Sequence, residues 1–99
     1  MIRRETSEVA IGLRLVGMTA RLGHSAIPEE IANEARTALD ELDRCPEGTV
    51  RTSAALVANW LIGFATAQGP DAQEFAARTL IAVTDRLREA MSTEAERAA

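Results

Sequence analysis

Fourteen consecutive residues, Ala54 to Ala67, carry no charge, and only Asn59 and Thr66 among them are polar. A bilayer crossing needs about 20 apolar residues, so this run predicts a helix buried in protein and not a membrane span. A rotation of about 100° per residue separates its faces. Val50, Ala54, Val57, Leu61 and Phe64 point one way; Leu56, Trp60, Gly63 and Ala67 form a second seam on one flank, with Ala55 and Ile62 on the other. Thr52, Asn59 and Thr66 recur every seven residues opposite the first seam. A helix apolar nearly all round must be covered on several sides. Either the rest of the chain wraps it, or a second copy completes the cover.

Three Gly- and Pro-containing points divide the chain: Gly23 to Pro28, Cys45 to Gly48, and Gln68 to Asp71. Both residue types stop helices and turn chains. At 99 residues there is room for one hydrophobic core. The spacing predicts four helices near 6–22, 28–44, 49–68 and 71–91, packed antiparallel through short loops. Residues 6–91 then make a single helical domain, preceded by a basic arm at 1–5. Residues 92–99 lack a large apolar side chain and are expected to fray.

The second and fourth stretches each present one stripe. Pro28, Glu29 and Glu30 suit a helix start, and Ile31, Ala35, Ala38 and Leu42 recur at +4, +3, +4. Arg36, Asp40 and Arg44 are spaced for i,i+4 pairs on the outer face. In the fourth stretch Asp71 and Glu74 have capping-box spacing, Pro70 and Phe75 that of a hydrophobic staple. Ala76, Leu80, Val83, Leu87 and Met91 form its inward stripe.

The first stretch is double-sided. Val9, Leu13, Val16 and Ala20 make one seam, and Ile11, Leu15, Met18 and Leu22 another. Gly12 and Gly17 lie between them and would admit a close neighbour. Val9, Ile11, Leu13 and Leu15 also alternate as in a strand, but only a second copy could pair with it, so helix is the preferred reading.

Composition removes several functions. All 11 basic residues are Arg, which excludes Schiff-base Lys chemistry, and the formal net charge of -4 argues against non-specific coating of nucleic acid. Arg-only basicity and abundant Ala reflect a GC-rich, bacterial-like composition and carry no functional weight. The single Cys45 excludes an internal disulfide and fits a reducing compartment. No secretory signal is visible, so a cytoplasmic location is expected. No nucleotide-binding loop, nucleophile elbow or zinc-protease pair is present, and no cofactor is expected.

Individual residues have modest readings. His24 follows Gly23 and reads as a helix-end residue rather than a phosphoacceptor. Cys45 sits between Asp43 and Glu47, surroundings that do not favour a thiolate. Asp40, Glu41, Asp43 and Glu47 read as a solvated face, too few ligands for a hard cation; no metal site is expected. Arg14 and Arg21 share a face and are the candidate anion-binding pair, although a basic first helix opposite an acidic second one also predicts internal pairing.

The leading expectation is an all-α, four-helix antiparallel bundle completed or extended by dimerisation. It would be a non-enzymatic interaction module, a regulator, adaptor or inhibitor that binds protein. The interface candidates are Leu56, Asn59, Trp60, Ile62 and Gly63, joined by Ile11, Leu15 and Met18. A small helical enzyme holding an anionic metabolite through Arg14 and Arg21 is one alternative. A DNA-linked regulator using Arg3 and Arg4 is the other.

Overall fold

The computed structural model describes residues 7–22 and 27–98. Among them, four helices pack into one compact globule: α1 (Glu8–Ala20), α2 (Pro28–Leu42), α3 (Thr49–Thr66) and α4 (Pro70–Ala98). The first stretch is therefore a helix and not a strand. Ser7 starts it, its side-chain oxygen accepting the Ala10 N–H at 3.1 Å, which satisfies one of the donors a helix start leaves orphaned. His24, Arg3 and Arg4 lie outside the described residues.

α2 begins with Pro28 in its first turn beside Glu29 and Glu30, as its sequence predicts. α4 begins differently from expectation. Gly69 has φ 94°, a conformation natural to glycine, and its carbonyl accepts the Gln73 N–H at 3.1 Å. The helix thus opens at Pro70, two residues earlier than an Asp71 cap would require. Glu74 is not part of a capping box; it takes a hydrogen bond from Arg78 at 2.6 Å. Phe75 packs on Trp60 of α3. At its other end α4 continues to Ala98, through residues read as a frayed tail. Residues 92–97 are exposed on it, and Glu, Ala and Arg are good helix formers without needing a core.

α3 is the hub. It touches α1, α2 and α4, whereas α2 and α4 make no contact with each other among the described residues. The core collects Val50, Ala54, Val57, Ala58 and Leu61 from α3, the α2 stripe Ile31, Ala35, Ala38 and Leu42, and the α4 stripe from Leu80 to Met91. From α1 it takes Ile11, Leu15 and Met18. These three, expected at a dimer interface, are buried inside the single chain, where they cover one side of α3. Gly12 makes the approach possible. A methyl group there would lie 2.8 Å from the Met91 sulfur and 3.4 Å from a Leu87 methyl, while one at Gly17 would meet nothing. Only one of the two glycines serves a close contact.

No helix among the described residues is long and apolar enough to cross a membrane.

Candidate interaction surface

Three neighbours leave one side of α3 uncovered. The side opposite Val50, Ala54 and Leu61 carries Thr52, Asn59 and Thr66, all exposed, with Leu56 at 37% exposure between the first two. Gly63, Ile62 and Trp60 flank this line and are half-buried. The structure therefore places Leu56 and Asn59 on one outward strip, with Gly63, Trp60 and Ile62 half-buried beside it, and separates them from the three α1 candidates. From Thr52 to Ala67 the strip contains no charged residue. An open hollow of about 740 Å³ runs along its first half, lined by Thr52, Ala55, Leu56 and Asn59, with Glu47 and Arg51 also contributing.

The polar groups on the strip differ in what they offer. The Thr66 hydroxyl already donates to the Ile62 carbonyl at 2.8 Å, a back-bond within its own helix that spends the only donor of the hydroxyl. Asn59 carries a carboxamide, both donor and acceptor, on the exposed middle of the line. Beside it, Trp60 meets Phe75 of α4 edge to face, with ring centroids 5.8 Å apart and planes at 66°. Phe75 remains 63% exposed. An aromatic pair held this way adds a rigid apolar ledge along the α3–α4 seam.

Other large apolar side chains are exposed away from this strip. Leu13 is 61% and Ile81 60% exposed. Leu13 belongs to the α1 seam that lost the competition for the core. Ile81 directly follows the stripe residue Leu80, and a step of about 100° carries it off the buried face.

Arg14 and Arg21 line one open cleft of about 610 Å³ between α1 and α2, together with Gly17, Met18, Asn33, Glu34 and Thr37. Arg14 also donates to Glu41 at 2.7 Å, with the two side chains 49% and 27% exposed. The basic first helix is thus paired internally with the acidic second one. Such a partly solvated pair contributes about 0–1 kcal/mol. On α2, Arg36 donates to Asn33 at 3.2 Å rather than meeting Asp40. Arg51 reaches the Cys45 carbonyl at 3.1 Å and Asp43 at 3.6 Å, tying the α2–α3 turn.

Cys45 is buried, its thiol 3.6 Å from the Glu41 carbonyl. Burial pushes the thiol above its ordinary pKa, the nearby Glu8 and Glu41 carboxylates add to this, and Arg51 opposes it. A thiol held protonated is a poor nucleophile. Among the described residues no group of three His, Cys, Asp or Glu side chains is placed to hold a metal ion.

No family model, curated protein or solved structure matches this chain.

Proposed function

We propose that this protein is a small non-enzymatic helical module that acts by binding protein through the outer side of α3. The observation that carries the reading is the uncharged outward strip from Thr52 to Ala67, bordered by the Trp60–Phe75 ledge. Exposed apolar surface costs free energy in water, and a patch gathered on one face marks an interaction site. Leu56, Trp60 and Phe75 are the anchors, since aromatic and large aliphatic groups at the centre of a contact carry most of its energy. A role as regulator, adaptor or inhibitor in the cytoplasm belongs to the same proposal.

The test is affinity capture from the native cell with the natural chain and with Leu56→Glu. Leu56 is partly exposed, so the variant keeps its helical circular dichroism. Loss of the captured protein with the helical signal intact supports the reading. Equal capture by both chains, or turnover by the purified protein in a pooled-metabolite screen, removes it.

The second reading is an anion site, favoured by the cleft that Arg14 and Arg21 share with Asn33 and Thr37. Glu34 in the same cleft and the Glu41–Arg14 pair oppose it, because a bound carboxylate or phosphate would meet charge already neutralised. Titration calorimetry with a dicarboxylate distinguishes the two: heat that disappears in Arg21→Ala supports the anion site.

A further inference from the structure

We infer that the outer face of α3 pairs with the same face of a second copy, the two α3 helices running antiparallel with Asn59 at the two-fold axis. This rests on the reading of that face as the binding surface and names its occupant. Charge is the first reason. The strip from Thr52 to Ala67 has no ionised group, so two copies meet along it without like-charge repulsion. A partner with a charged face would bury that charge unpaired.

Spacing is the second reason. Thr52, Leu56, Asn59, Gly63 and Thr66 follow one another at +4, +3, +4, +3, the seam of a two-helix contact. Asn59 lies midway between Thr52 and Thr66. Reversal about it sets Thr52 against the partner's Thr66 and brings Leu56 over the partner's Gly63, where the missing side chain leaves room. A methyl at Gly63 would meet only its own neighbour Trp60, at 3.7 Å. A parallel pair would instead set Leu56 on Leu56 and Gly63 on Gly63, a crowd beside a gap, which packs poorly. At the axis the two Asn59 carboxamides are self-complementary, each NH2 donating to the other's oxygen. One polar pair inside an apolar seam fixes register.

The experiment uses the full chain in a Cys45→Ser background. Sedimentation from low to high micromolar concentration is expected to show a species of twice 10.7 kDa, and Leu56→Glu to weaken association by about a hundredfold, the scale of losing a hot spot. Under mild oxidation Asn59→Cys should cross-link to itself, and Leu56→Cys to Gly63→Cys but not to itself. A dimer in which Leu56→Cys joins itself as fast as Asn59→Cys does overturns the antiparallel arrangement. A chain that stays monomeric overturns the inference outright. The binding-face reading then still stands or falls on the capture experiment with Leu56→Glu.

Discussion

α2 and α3 are helices of 15 and 18 residues, lying side by side, with opposite relations to their sequences. α2 shows charge on every side but one, so only the stripe Ile31, Ala35, Ala38 and Leu42 can face inward, and it does. α3 is apolar on several sides, and three different neighbours use them. A helix with one stripe specifies its own orientation. A helix with several leaves orientation to whatever packs around it, and the side nobody covers becomes the candidate surface.

The sharpest way to break this comparison is to remove a hub side chain. Leu61 is fully buried among the helices around α3, so Leu61→Ala is expected to lower stability by about 2–5 kcal/mol in urea unfolding, through lost burial and the cavity left behind. On α2, Asp40→Ala on the exposed face should stay within about 0.5 kcal/mol. A loss at Leu61 no larger than that at Asp40 would mean that α3 is not the centre of the core.

Next comes α4, a one-stripe helix with a defect. Thr84 is buried and its hydroxyl has no hydrogen-bond partner. Thr84→Val keeps the shape and deletes the orphaned group, so it should stabilise by about 1–3 kcal/mol, the usual cost of such a group. A destabilised Thr84→Val in thermal unfolding would show that a bond at this position had been lost.

The ledge beside the α3 strip gives a smaller effect. Phe75→Ala removes the edge-to-face partner of Trp60, which should cost about 0.5–1.5 kcal/mol and shift Trp60 fluorescence to the red as the indole gains water. Unchanged emission would place Trp60 beyond the reach of α4.

Smallest is the contrast between the two α1 glycines. Gly17→Ala meets open space and should stabilise by about 0.5–1 kcal/mol through backbone entropy alone. Gly12→Ala should gain less, because its methyl must displace the Met91 side chain. Equal gains in calorimetric melting would remove the close α1–α4 approach.

Some features were legible and passed over. Ser7 stands immediately before the apolar run of α1, the position where Ser caps a helix. Residues 92–98 are rich in helix formers, and α4 keeps its hydrogen bonding through them. Other features had no sequence signal. Nothing in Val9, Leu13 and Val16 distinguishes them from Ile11, Leu15 and Met18 as core, since both seams are similarly apolar and similarly spaced. For the same reason the five α3 interface candidates could not be separated from the three on α1.

Local chemistry by itself determined where α2 and α3 begin, where the chain turns, and which stripes of α2 and α4 go inward. Those properties depend on Gly, Pro and charge, whose preferences act over one or two turns. Tertiary structure alone decided which seam of α1 is buried, that α3 sits among α1, α2 and α4, and that the line through Thr52, Asn59 and Thr66 faces outward between flanks only half covered. Burial of apolar surface is non-directional, so among equivalent seams the choice falls to shape: a glycine at position 12 that lets α1 settle against Leu87 and Met91.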